Sequence, residues 1–108
     1  MTDTEIDRRL ALAIGYRPED VMVVRATGQI VVDYYGIWSL FSHLRWDVVG
    51  PIAERYNCFA YKFPNAAASL KWMWAAHTFN ERGNIRRFFA PTPQRAIALA
   101  AIAKLERV

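Results

Sequence analysis

The sequence contains a single cysteine, Cys58, among its 108 residues. A lone cysteine excludes an internal disulfide framework and a metal site built from cysteines alone. Long apolar runs are also missing, since the uncharged stretch Tyr34 to Leu44 is well short of the ~20 apolar residues that a membrane span needs. The first five residues are polar and acidic, unlike the opening of a signal peptide. We therefore expect one soluble, cytoplasmic domain covering residues 1–108.

Acidic residues are scarce in the second half of the chain. Residues 55–108 contain nine lysines and arginines but only two acidic residues, a net charge of +7. Residues 1–54 contain five basic and eight acidic residues, a net charge of −3. This asymmetry predicts a basic surface built by the C-terminal half. The alternative is a solvated surface with scattered charges, because moderate basicity alone is weak evidence for a nucleic-acid partner.

Hydrophobic residues make up 54% of the sequence, which excludes a disordered chain. A helix is indicated at each end. The first covers Thr4–Ile14, with Thr4 as its N-cap and apolar residues at every fourth position. The last covers Gln94–Arg107, because Thr92 can cap it and Pro93 suits the first helical position. The side chains that we expect this helix to bury are Ile97, Leu99 or Ala100, and Ile102.

The central segment Ile37–Tyr56 carries apolar residues at helical spacing. Gly50 and Pro51 interrupt the pattern, because proline lacks a backbone donor and clashes with the preceding turn. Asp47 is a candidate cap for a second piece. We expect either a kinked helix or two helical pieces that meet between Arg45 and Pro51.

Strand patterns fill the remaining chain. Val21–Ala26 and Ile30–Tyr35 are rich in β-branched residues, and Thr27–Gln29 supplies a glycine for the turn of a hairpin. Three further strands are predicted within Cys58–Phe63, Ser69–Phe79 and Ile85–Phe89, although Ala66–Ala76 also has the propensity of a helix. The predicted fold is α+β: an antiparallel sheet with N-terminal, central and C-terminal helices packed on it.

No catalytic motif stands out among the candidate nucleophiles, which are Ser39, Ser42, Ser69 and Cys58. None of them lies in a nucleophile elbow or a comparable motif. The two histidines, His43 and His77, lack the spacing of a zinc site, and there is no glycine-rich phosphate loop. We therefore expect no enzymatic activity, no metal and no cofactor.

The segment Arg86–Arg95 is the most informative part of the sequence for binding. It places three arginines close to a helix N-terminus, where a phosphate or carboxylate can dock. The alternative, that Thr92 caps the helix and the arginines are solvated, is favoured because most helices have a cap. The residues predicted to bind a partner are Lys71, Arg82, Arg86, Arg87 and Arg95. The neighbouring aromatics, either base-stacking platforms or core residues, are Trp72, Trp74, Phe88 and Phe89.

Three patches of the sequence resemble small phage and prophage proteins that have the phage ABA sandwich domain. These are Leu10–Tyr16, the central segment Trp46–Tyr56, and Ala90–Ile102, which contains a Thr-Pro helix opening followed by small and aliphatic residues. The long hairpin Val21–Tyr35 departs from the family, which commonly has a shorter loop there. The resemblance brings no catalytic residues to transfer.

The resemblance implies a phage-encoded accessory protein in the cytoplasm of the host cell. Such proteins include anti-CRISPR inhibitors, which bind a host protein or ribonucleoprotein complex of a defence system. We therefore predict a non-enzymatic inhibitor of a bacterial defence complex. The alternative is a protein that binds a nucleotide or nucleic acid through its basic, aromatic C-terminal half. Gene neighbourhood and binding to oligonucleotides would distinguish these two hypotheses.

Overall fold

The computed structural model describes residues 1–62, 74–79 and 82–106. Three helices lie within this part of the chain: α1 Asp3–Ala13, α2 Trp46–Tyr56 and α3 Pro93–Leu105. Six strands accompany them: β1 Val21–Val23, β2 Ile30–Tyr34, β3 Ile37–Phe41, β4 Ala60–Lys62, β5 Trp74–Phe79 and β6 Ile85–Ala90. The predicted α+β class is confirmed. The antiparallel strands form two sheets of three, β1-β2-β3 and β4-β5-β6, where the sequence predicted a single sheet.

The N-cap of the N-terminal helix lies two residues earlier than the sequence predicts. Thr2 is the N-cap, and its side chain accepts a hydrogen bond from the backbone N–H of Glu5 at 3.2 Å. The prediction that Thr4 caps the helix is wrong, because the Thr4 hydroxyl donates instead to the carbonyl of Gly28 at 2.6 Å. Gly28 closes the hairpin loop with φ of +73°, a conformation that glycine adopts without strain. Thr4 thereby joins α1 to the first sheet.

The hairpin predicted around Gly28 is confirmed, with shorter strands than expected. β1 pairs antiparallel with β2, and Val21 lies opposite Val32. Beyond Val23 the chain forms a loop, in which the N–H groups of Thr27 and Gly28 both bond to the carbonyl of Val24. The first sheet packs against α1 through its buried side chains, which include Ile30, Val32 and Phe41.

The helical interpretation of the central segment is wrong for its first part, because Ile37–Phe41 forms strand β3, paired with β2. Tyr35 and Gly36 both have positive φ, 53° and 84°, as the two central residues of a type I′ hairpin turn require. This tight turn makes β3 the natural continuation of β2. Helical spacing of apolar residues in a short run also fits a strand, so periodicity did not separate the two.

The alternative of two helical pieces is wrong, since α2 is one continuous helix from Trp46 to Tyr56 that contains both Gly50 and Pro51. Pro51 removes one backbone hydrogen bond from the ladder. Burial of Val49, Ile52 and Ala53 on one face of α2 offsets that loss. The helix ends at Asn57, which adopts the left-handed conformation typical of a helix C-terminus.

The second sheet is covered on one side by α3, which also contacts α1 and α2. Thr92 caps α3 and Pro93 occupies its first position, as predicted. The expected burial of Ile97, Ala100 and Ile102 is confirmed, while Leu99 is half-buried. Small side chains let α3 approach the strands closely. The buried alanines of this contact include Ala76, Ala90, Ala96, Ala98, Ala100 and Ala101.

Parts of three sequence predictions lie outside the described residues: Phe63 in the third predicted strand, residues 69–73 of the fourth, and Arg107 at the end of the last helix. The helical alternative for Ala66–Ala76 does not hold for Trp74–Ala76, which belong to β5. Within the described part of the chain, no helix is long and apolar enough to cross a membrane.

Candidate functional site

The side of the second sheet that faces away from α3 is the candidate binding surface, and we call it the open face. Ala76 and Ala90 are buried beneath α3. Successive side chains of a strand point to opposite sides of its sheet, so the residues that alternate with them lie on the other side. Six large side chains occupy the open face: Tyr61 on β4, His77 and Phe79 on β5, and Ile85, Arg87 and Phe89 on β6.

The rings of the open face contact one another, both within β5 and between β5 and β4. The His77 ring lies between Tyr61 and Phe79, with centroid distances of 5.8 Å and 5.4 Å and edge-to-face orientations. Arg87, which lies opposite His77 in the register, donates from Nε to the Tyr61 hydroxyl at 3.2 Å. These contacts hold the guanidinium and the rings in defined positions, while Phe79 and Phe89 remain 50% and 40% exposed.

The described residues of the open face combine exposed aromatic surface with the cation of Arg87. Among the described residues of this face there is no carboxylate that could neutralise Arg87. Exposed rings next to a guanidinium bind planar groups by stacking and anionic groups by charge. This arrangement therefore suits a ligand that carries both a planar group and an anionic group.

The five residues predicted to bind a partner do not form one patch. Arg86 and Arg87 are neighbours in β6, so the period of a strand places them on opposite sides of the sheet. The Arg86 guanidinium lies over the ring of Phe88, 5.1 Å from its centroid, on the side of α3. Arg82 is exposed before β6, and Lys71 lies outside the described residues. Of the predicted set, the open face contains Arg87.

Arg95, the remaining member of that set, has a structural role at the start of α3. Its guanidinium donates to Asp3 Oδ1 and to the carbonyl of Met1, both at 2.6 Å. The side chain of Thr92 accepts from the backbone N–H of Arg95 at 3.3 Å. The start of α3 is therefore capped, as the favoured interpretation of the sequence predicted, and Arg95 joins it to the N-terminus of α1.

A buried polar cluster that sequence reasoning missed lies beside this contact. His43 is completely buried, and its backbone N–H and its Nδ1 lie 2.7 Å and 2.6 Å from Asp7 Oδ1. Its Nε2 has no hydrogen-bond partner among the described residues and lies 3.6 Å from Asp3 Oδ1. The available signal was the position of Asp7 within the apolar stripe of α1, next to Ile6 and one turn before Leu10. Because no solvent reaches His43, the cluster fastens the loop before α2 to α1.

A cleft of about 1060 Å³ opens between the first sheet, α2 and the segment Ile14–Arg17. Two of its arginines are already paired with carboxylates of the same cleft, Arg17 with Asp20 at 2.9 Å and Arg45 with Asp47 at 2.7 Å. These pairs neutralise most of its positive charge. The cleft is therefore less suited to an anion than the open face is.

Cys58 packs as a small apolar side chain. It is fully buried next to α2, and its thiol donates to the carbonyl of Tyr56 at 3.3 Å. Burial raises the pKa of the Cys58 thiol, and the positive charge of Lys104 partly opposes that change. A raised pKa disfavours the thiolate, which is the nucleophilic form.

We expect Cys58→Ser to leave binding unchanged and to lower the free energy of unfolding by about 1–3 kcal/mol, because a more polar hydroxyl replaces a buried thiol. We also expect a slow reaction of native Cys58 with a thiol reagent, accelerated by urea. A folded Cys58→Ser protein that has lost its activity would show that the thiol has a chemical role.

The comparisons with known proteins concern the fold. No family model matches the chain, and no curated protein sequence matches it. The structure is similar to that of a phage protein from Bacillus cereus, with a TM-score of 0.65 and 16% sequence identity. The alignment covers 99% of this chain and 90% of that chain. The two proteins thus share their fold over nearly their whole lengths.

Proposed function

We propose that this chain is a phage-encoded binding protein that acts without catalysing a reaction, and that it binds single-stranded nucleic acid through the open face. The similarity of its fold to a phage protein and its resemblance to the phage ABA sandwich domain support a phage origin. The buried Cys58 and the fully enclosed His43 support a role in binding, because neither offers a reactive group to a substrate.

The observation that carries this proposal is the exposure of Phe79 and Phe89 on the same sheet face as Arg87. Unpaired bases stack on exposed rings, and each stacked base contributes about 1–3 kcal/mol. A guanidinium beside the rings attracts the phosphate backbone. Duplex nucleic acid offers no free base faces, so the proposal is specific for single strands.

The contacts within the open face favour tight binding. His77 is held between Tyr61 and Phe79, and Arg87 is held by the Tyr61 hydroxyl. Side chains that are already ordered lose less conformational entropy when a ligand binds. The free protein thus presents its rings and its cation close to the arrangement that the complex requires.

Inhibition of a bacterial defence complex of the CRISPR type is the second candidate function. The resemblance to phage proteins implies it, and the composition of the open face agrees with it. Tyrosine and arginine are enriched among the residues that contribute most to protein interfaces. In this case the partner is a host protein or ribonucleoprotein complex.

The test measures the fluorescence anisotropy of labelled single-stranded DNA and RNA, with duplexes of the same sequence as the comparison. We expect Arg87→Glu to weaken single-strand binding by at least about tenfold, because charge reversal adds repulsion to a lost contact. Phe89→Ala should also weaken binding, and higher salt should weaken it for the wild type.

Arg86→Glu is the matched control, since it makes the same change of net charge one residue away on the opposite side of the sheet. Equal losses for Arg86→Glu and Arg87→Glu would show a general effect of charge and refute a contact at the open face. If the wild type binds no oligonucleotide even at low salt, the nucleic-acid proposal is wrong. Capture of a purified defence complex, abolished by Arg87→Glu, would then support the second candidate.

A further inference from the structure

Strand β3, Ile37–Phe41, forms an edge of the first sheet, and within residues 1–62, 74–79 and 82–106 no feature prevents another strand from pairing with it. Natural edge strands are usually short or carry charges that block such pairing. Among the edge strands of the described residues, β1 and β4 have only three residues each, and β6 contains two arginines. β3 has five residues and no charge, so it is the unprotected edge.

The register identifies which backbone groups of β3 are available. The two-residue turn at Tyr35-Gly36 makes Tyr34 and Ile37 a hydrogen-bonded pair, and such pairs alternate along an antiparallel ladder. Ile37, Ser39 and Phe41 therefore bond to β2. The N–H and C=O groups of Trp38 and Leu40 point away from β2, and no described residue supplies them with a partner.

The other side of β2 provides an independent check of this register. The N–H of Val24 donates to the carbonyl of Gln29 at 2.8 Å, so Gln29 directs its backbone groups to the strand before it. By alternation, Val31 and Asp33 also direct their backbone groups to that side of β2. The residues of β2 that bond to β3 are therefore Ile30, Val32 and Tyr34. The turn between β2 and β3 and the pairing of β2 with β1 thus identify the same outward backbone groups on β3, those of Trp38 and Leu40.

We propose that a second copy of this chain pairs antiparallel with β3 at this edge, with the two-fold axis at Ser39. The free groups of Trp38 and Leu40 are arranged symmetrically about Ser39. Trp38 would therefore exchange two backbone hydrogen bonds with the partner's Leu40, and Leu40 would do so with the partner's Trp38. The two first sheets then form one continuous six-stranded sheet across an isologous interface.

The absence of charged residues in β3 favours a second copy of this chain as the strand that pairs with it. A strand with charged residues would place them against Ile37 and Trp38, which are 71% and 44% exposed and offer no counter-charge. An identical strand brings no charge to the interface. Its Leu40 would lie directly opposite Trp38, an aromatic–aliphatic cross-strand pair that stabilises a sheet. Pairing would also cover apolar surface that is open to water in the single chain.

The test is the molar mass in solution, measured by light scattering and by sedimentation equilibrium over a range of concentrations. We expect the wild type to form a dimer. Leu40→Pro should make it monomeric, because it removes an outward N–H and leaves the bonds of Ser39 and Phe41 to β2 intact. Ser39→Lys should do the same without changing the backbone, because the two lysines would lie opposite each other across the axis.

Charge exchange distinguishes this interface from any other. Ser39→Lys and Ser39→Glu should each be monomeric alone and should form a heterodimer when mixed. Met22→Lys, on the exposed part of the opposite edge strand β1, is the control and should remain dimeric. A wild type that stays monomeric at millimolar concentration overturns the proposal. So does a dimer that persists in both Leu40→Pro and Ser39→Lys.

Discussion

Replacing Asp7 with alanine is expected to lower the free energy of unfolding by about 3–5 kcal/mol, the loss typical of removing one partner from a buried polar pair. Asp7 is 6% exposed, and a single carboxylate oxygen accepts from both the backbone N–H and the ring of His43. Alanine leaves both groups of His43 buried without a partner. The expected loss is large because neither group can reach water in the folded state.

Urea denaturation at constant pH measures this loss. Asp7→Asn should be less destabilising, because its amide oxygen can still accept from the backbone N–H of His43. Asp47→Ala is the control: Asp47 also pairs with a cation, Arg45, but at the surface, where such pairs contribute about 0–1 kcal/mol. If Asp7→Ala destabilises the protein no more than Asp47→Ala, the buried cluster does not fasten the loop before α2.

Ile102→Ala is expected to lower the free energy of unfolding by about 2–5 kcal/mol. Ile102 is 3% exposed and belongs to the core that α3 forms with the second sheet and α1. The smaller side chain buries less apolar surface and leaves a cavity among closely packed neighbours.

The same substitution at Leu99 provides the comparison. Leu99 lies on the same helix but is only half-buried, so Leu99→Ala should be less destabilising than Ile102→Ala. Thermal and urea unfolding of both variants measure the order. A larger loss for Leu99→Ala would contradict the packing of α3 against the sheet.

Several elements were predictable because their signals are local. Thr92 and Pro93 define the start of α3 through capping and a fixed φ, and neither effect depends on the rest of the chain. Gly28 determines the loop of the first hairpin for the same reason. Cys58 lies in an apolar alternating segment, a local pattern that agrees with its burial in the structure.

The central segment shows where local signals failed. Proline inside a helix normally indicates a break, but Pro51 lies within α2, because contacts of α2 with α3 stabilise the helix. Ile37–Phe41 has spacing that fits a helix, yet the type I′ turn at Tyr35-Gly36 places it beside β2. In both cases long-range packing decided between two local possibilities.

The candidate site was predictable in composition but not in arrangement. The basic and aromatic character of residues 85–89 is visible in the sequence, and β6 was predicted there. The alternation of side chains along β6 assigns Arg86 and Arg87 to opposite sides of the sheet. The sequence does not indicate which of these sides α3 covers. The pairing of Arg95 with Asp3 joins residues 92 positions apart, beyond the reach of any local pattern.

The sequence by itself determined the α+β class, the first hairpin and the C-terminal helix, because turns, caps and apolar alternation act between residues close in the chain. Only the tertiary structure decided that the strands form two sheets, that Asp7 and His43 meet in the interior, and that Arg87 shares an exposed face with Phe79 and Phe89. Each of these depends on contacts between distant segments, which form only when burial of apolar surface brings helices and sheets together.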